Sequence, residues 1–107
     1  VNWGVKRKEE VRQMELQKLL IPGVTVSKMR SGNKEIYYVY LPQRFEKYLS
    51  HGKWSVTVLL NDKEILIGLR SIYRHGNYFV LTLPISLKYI WDQYLGKEID
   101  LVIEKVA

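Results

Sequence analysis

The chain has 107 residues, room for one domain with its own core and little room for two. With 47 % hydrophobic residues and no cysteine, global disorder, disulfides and thiol chemistry are excluded. The formal net charge of +6, from 17 basic and 11 acidic residues, favours an anionic partner, and nucleic acid is the usual one. No apolar run approaches the roughly eighteen residues a membrane span needs. The first stretch, "VNWGVKRKEEVRQ", carries charge where a signal peptide has its apolar core, so a cytoplasmic location is expected.

In chain order, residues 5–20 read as a helix of good helix formers with a partial apolar stripe of Val11, Met14, Leu16, Leu19 and Leu20. "IPG" (21–23) stops it. "VTVSKM" (24–29) alternates as a strand, "SGNK" (31–34) is a turn and "IYYVYL" (36–41) is a second strand, which Pro42 ends. "QRFEKYL" (43–49) switches to helical spacing through Phe45, Tyr48 and Leu49. "WSVTVLL" (54–60) and "EILIGL" (64–69) form a hairpin about "NDK".

"RHGN" (74–77) is the next turn and "YFVLTL" (78–83) the next strand, followed by Pro84. "ISLKYIWDQYL" (85–95) predicts a helix on Leu87, Ile90, Trp91, Tyr94 and Leu95, ended by Gly96. "KEIDLVIEKV" (97–106) alternates, with Ile99, Leu101 and Ile103 on one face and Glu98, Asp100 and Glu104 on the other. Trp54 and Trp91 are expected in the core or at an interface.

The order strand, turn, strand ending Leu-Pro, short helix, glycine, strand therefore occurs twice, with the second copy one strand short. A single copy is too small to bury its own apolar face, and two packed about a pseudo-twofold axis can. The motifs in "YVYLPQRFEKYLSHGKWSVTVLLNDKEILIGL" (38–69) and "FVLTLPISLKYIWDQYLGKEIDLVIE" (79–104) resemble those of the AbrB (SpoVT/AbrB-like) swapped-hairpin family. That resemblance implies a mainly β, AbrB-like swapped-hairpin barrel formed as an intrachain pseudodimer, with an added N-terminal α-helix. The expected division is an extension over 1–22 and one domain over 23–107, with repeat one at 23–69 and repeat two at 70–107.

Most characterised members of that family are DNA-binding transcription regulators, and others serve as antitoxins or accessory modules. The expectation is a binding protein without cofactor or metal: a transcription regulator or chromatin-associated factor holding duplex DNA by a basic face. Its candidates are Lys28, Arg30 and Lys34 in the first turn, Arg44 and Lys47 in the first helix, Arg70 and Arg74 at the start of the second repeat, and Lys88 in the second helix. A merely solvated surface is the plain alternative for each. The chain departs from the family where Glu46 precedes Lys47 and Tyr89 follows Lys88, positions at which the family often has adjacent basic residues.

The runner-up is a protein-interaction subunit of a nucleic-acid machine, or a homodimer, docking through Lys6, Arg7, Lys8 and Met14 of the first helix. Tyr37, Tyr38 and Tyr40 offer either a stacking platform for single strands or cross-strand packing, with Tyr37 on the opposite face from the other two. His51 and His75 without cysteine make a poor metal site, and Asp62 and Glu64 read as turn chemistry. The chain has no Gly-rich phosphate loop and no nucleophile motif, so an enzyme is not expected.

Overall fold

The alternating stretches become seven strands in the computed structural model, which describes residues 18–106. They are β1 (Lys18–Thr25), β2 (Ser27–Ser31), β3 (Lys34–Leu41), β4 (Gly52–Leu59), β5 (Glu64–His75), β6 (Tyr78–Leu83) and β7 (Glu98–Lys105). All pair antiparallel in one sheet of order β1-β7-β4-β5-β6-β3-β2, curled into a half-barrel. A 3-10 helix (Gln43–Tyr48) joins β3 to β4. A 3-10 turn (Ile85–Leu87) running into helix α1 (Lys88–Tyr94) joins β6 to β7.

Period-two alternation decides what the curl encloses. Tyr37, Val39 and Leu41 of β3, Trp54, Val56 and Val58 of β4, and Ile99, Leu101 and Ile103 of β7 all point into one buried cluster. Trp54 and Trp91 are wholly buried, as expected. Each satisfies its indole N–H on a carbonyl near a helical connection, Trp54 on Ser50 at 3.0 Å and Trp91 on Pro84 at 2.9 Å. Burial thus leaves neither ring with an unpaired donor, which would cost about 1–3 kcal/mol.

Five expectations need correction. The predicted helix over 5–20 lies largely outside the described residues, but Lys18, Leu19 and Leu20 belong to β1. Leu19 and Ile21 face inward while Lys18 and Leu20 face out, a two-residue period that pairing with β7 enforces over helix propensity. "IPG" is consequently no terminator. It is a bulge inside β1, where the register against β7 slips between Ile21 and Val24.

The stretch 24–29 is not one strand. Val26 sits at a corner, donating to Lys97 O at 3.0 Å and accepting from Gly96 N at 2.9 Å, so β1 pairs with β7 while β2 turns to pair with β3. "EILIGL" runs six residues further, to His75, because β5 leaves β4 at Ile72 and continues against β6. Finally, "QRFEKYL" is 3-10 helix: Phe45 N bonds Pro42 O and Leu49 N bonds Glu46 O, three residues back in each case.

Two of these bends rest on glycine. Gly23 (φ +70) lies in the bulge of β1, and Gly68 (φ +84) beside the bulge where β5 slips against β4. A β-carbon on Gly68 would meet nothing within 4 Å, so only the backbone resists a side chain there. Gly68→Ala is expected to lower stability by about 1–2 kcal/mol, read as a shift in the urea midpoint without a change in slope.

Candidate nucleic-acid interface

The ladder registers sort the charges of the sheet by end. At one end β1 and β4 begin and β7 finishes, beside the first 3-10 helix and the β5–β6 turn. Lys18 faces Glu104, Trp54 faces Lys105, and Gln43 reaches the carbonyl of Asn77. Among the described residues, seven cations gather here (Lys18, Arg44, Lys47, Lys53, Arg70, Arg74 and Lys105) against the two carboxylates Glu46 and Glu104. At the opposite end lie the β2–β3 and β4–β5 turns, α1 and the start of β7. There six cations (Lys28, Arg30, Lys34, Lys63, Lys88 and Lys97) meet six carboxylates (Glu35, Asp62, Glu64, Asp92, Glu98 and Asp100). All of the net positive charge of the described residues therefore belongs to the first end.

Several of these cations are positioned by neighbours. Arg44 lies 5.1 Å from the Phe45 ring, Lys47 5.1 Å from Tyr48, Arg74 4.5 Å from Phe79 and Lys105 5.3 Å from Trp54. Such contacts hold a charged head over apolar surface while leaving it hydrated. Lys53 Nζ donates to Ser71 Oγ at 2.9 Å, and Lys105 Nζ to the carbonyl of His51 at 2.9 Å.

No family model, curated protein or solved structure matches the chain.

The eight cations singled out from sequence do not form one face. Arg44, Lys47, Arg70 and Arg74 come together at the basic end, and Lys28, Arg30, Lys34 and Lys88 stand at the balanced end. Two of the first group are engaged with the fold. Arg70 donates to the Thr82 carbonyl at 2.8 Å and to its hydroxyl at 2.9 Å. The β5–β6 ladder stops at Ile72 and Leu81, so the guanidinium meets a carbonyl that no strand partner reaches. Burial pushes the Arg70 pKa down. Arg74 pairs with Glu46, and the two side chains are about equally exposed. Across the sheet, Lys28 and Arg30 share Glu35 at 3.8 and 3.7 Å, exposed pairs worth at most about 1 kcal/mol.

Sequence reasoning missed Lys18, Lys53 and Lys105. Lys18 falls in the stretch whose pattern predicts a helix. Lys53 and Lys105 are far apart in sequence and meet only because the beginning of β4 pairs with the finish of β7. The one sequence signal is for Lys105, which stands at the far end of the last stretch from Glu98 and Asp100; nothing local points to Lys18 or Lys53.

The balanced end holds one strong polar link. Tyr37 donates its hydroxyl to Asp92 Oδ1, tying β3 to α1. That hydrogen bond, then burial and the charges of Asp92 and Glu35, push the phenol up from 10.0 to about 12. Because folding raises this pKa, the stabilisation is complete below about pH 10 and is lost as pH rises through about 12. A tyrosinate absorbance titration should show Tyr37 ionising last, and Asp92→Asn should bring that step down.

An open cavity beside the β4–β5 turn is lined by Leu59, Leu60, Asn61, Tyr94, Glu98, Ile99 and Asp100. Its carboxylates oppose an anionic ligand, and Asp100 Oδ1 already accepts from Gly23 N at 2.9 Å. Among the described residues no cluster of His, Asp and Glu is placed to hold a metal ion, and no helix is long and apolar enough to cross a membrane.

Proposed function

We propose that this protein binds duplex DNA, as a transcription regulator or chromatin-associated factor, through the basic end of an AbrB-like swapped-hairpin pseudodimer. The single observation that carries the binding reading is the segregation of charge: the cations of the basic end face a deficit of carboxylates, and those of the other end do not. Phosphate contacts supply the affinity, and the exposed Arg44 is the side chain best placed for a base contact.

The pseudodimer is supported by how the copies meet. Val39 of β3 faces Leu81 of β6, each lying three residues before the proline of its own copy. Thr57 of β4 faces Val102 of β7, each flanked by the last two inward residues of its strand. Counterpart thus pairs with counterpart at the centre of both ladders, as a twofold axis requires. The strand that the second copy lacks is supplied by β1, which pairs with β7 as β5 pairs with β4. Both bear a glycine at their bulge and run on into Arg-Ser-Gly-Asn (30–33) or Arg-His-Gly-Asn (74–77).

A gel-shift titration over salt tests the binding. Affinity should fall steeply as salt rises, and affinity absent at low salt, or indifferent to salt, would refute it.

A second reading, a protein-interaction subunit, has its own observation. On the outer face, Leu20, Val102, Thr57 and Leu66 stand in register across four strands, with Leu66 70 % exposed and Leu69 beside it 57 %. If this stripe docks a partner, Leu66→Lys should abolish co-purification while duplex affinity is kept.

A further inference from the structure

The outer face of the other half of the sheet is chemically different. Val80 is wholly buried yet is no part of the core cluster, because β6 turns it outward, away from Phe79 and Leu81. What covers it is aromatic. Its ladder partners are Tyr40 on one side and Tyr73 on the other, and Tyr78 and His75 pair next to them. The Tyr40 ring centroid lies 5.3 Å from Tyr38, 5.4 Å from Tyr78 and 6.4 Å from His75, the last nearly parallel. Tyr40 and Tyr78 remain 40 % and 43 % exposed.

Five rings therefore spread over three adjacent strands, about 10 Å of sheet, room for two or three bases. Alternation places no carboxylate among the outward residues of β2, β3, β6 and the last third of β5. Glu35, the one acid on these strands, shares the side of Tyr37. The platform abuts the basic end at His75 and Tyr78. Lys53 lies along its flank, bonded to Ser71, which precedes Tyr73 by two on the same face.

We propose that this face binds single-stranded nucleic acid, with bases stacked on Tyr40, Tyr78 and their neighbours and the backbone running to the cations of the basic end. Every base has a π-face, so such binding is tolerant of sequence, and a surface free of carboxylates with cations at its margin suits a flexible polyanion. A neutral or basic protein segment would gain nothing from that one-sided charge. The inference is separate from the duplex reading, since it concerns the sheet face and requires unpaired bases.

The test uses the full chain and fluorescence anisotropy of a labelled oligothymidylate of about twelve nucleotides at about 50 mM salt, with two controls: an abasic strand of equal phosphate number and a duplex. The oligothymidylate should bind about tenfold tighter than the abasic strand, and Tyr40→Leu or Tyr78→Leu should each remove most of that difference while duplex affinity stays unchanged. Leucine keeps Val80 covered, and if a variant still fails to fold, the abasic comparison on the unaltered protein decides. Equal binding of the oligothymidylate and the abasic strand would overturn the proposal. So would folded Leu variants that bind like the parent, or a concentration-dependent dimer that the variants abolish without any oligothymidylate binding. Loss of duplex binding alone would refute only the duplex reading.

Discussion

Lys47→Glu combined with Lys53→Glu is expected to weaken duplex binding by roughly a hundredfold at moderate salt, whereas Lys34→Glu with Lys88→Glu should change it by less than about threefold. The two pairs make the same change in net charge. They differ in where the charge sits. Lys47 and Lys53 belong to the end where cations outnumber carboxylates, so a phosphate there meets attraction that nearby acids do not cancel. Each reversal removes an attraction of about 1 kcal/mol in water and installs a comparable repulsion, which screening then reduces. Loss of two contacts should also flatten the slope of log affinity against log salt by about 2. Lys34 and Lys88 stand among Glu35, Asp92, Glu98 and Asp100, and reversing them alters a field that is already balanced. Equal effects from both pairs would show that net charge, and no particular surface, governs binding.

The largest expected loss of stability follows Trp91→Ala, about 4 kcal/mol, or roughly 20 °C in Tm for a domain of this size. The indole is wholly buried and is the main anchor of a helix only seven residues long, too short to hold itself. Its N–H also closes on the Pro84 carbonyl at 2.9 Å, so removal leaves a cavity and takes one of that carbonyl's two donors, the other being Leu87 N at 3.1 Å. Trp91→Phe keeps most of the volume and loses only that hydrogen bond, and should cost about 1–2 kcal/mol. Thermal and urea unfolding of both variants would check the ranking. A loss under about 1 kcal/mol for the alanine variant would mean that α1 is held mainly by Ile90 and the Tyr37–Asp92 link.

A good part of this fold was legible in the sequence because it is carried by local rules. Alternation exposed β3, β4, β6 and β7, and it separated the two faces of β7 and set Tyr37 of β3 apart from Tyr38 and Tyr40. Tyr37 proved to be buried while Tyr40 is exposed, as their opposite parity requires. Proline and glycine marked where strands stop: Pro42 and Pro84 each precede a helical connection, and Gly96, at φ +76, follows α1. The inward set Ile99, Leu101 and Ile103 needed nothing beyond period two.

The rest depended on partners that a local pattern does not name. "KLLIPGVT" has helix formers at its start, and only β7 makes it a strand. Val26 looks like the middle of an alternating run until Gly96 and Lys97 bond its backbone and turn the chain. The basic surface is the clearest case. Charges on a sequence can be counted, and the excess was plain in the total of +6. Which cations stand together is a matter of strand register, and antiparallel pairing of β4 with β7 brings Lys53 and Lys105 to one end while leaving Asp100 and Glu98 at the other. Residue chemistry by itself determined that this chain would fold largely as strands with a surplus of positive charge. Only long-range pairing decided where that surplus would lie, because electrostatic potential sums over neighbours in space, and those neighbours are chosen by the sheet.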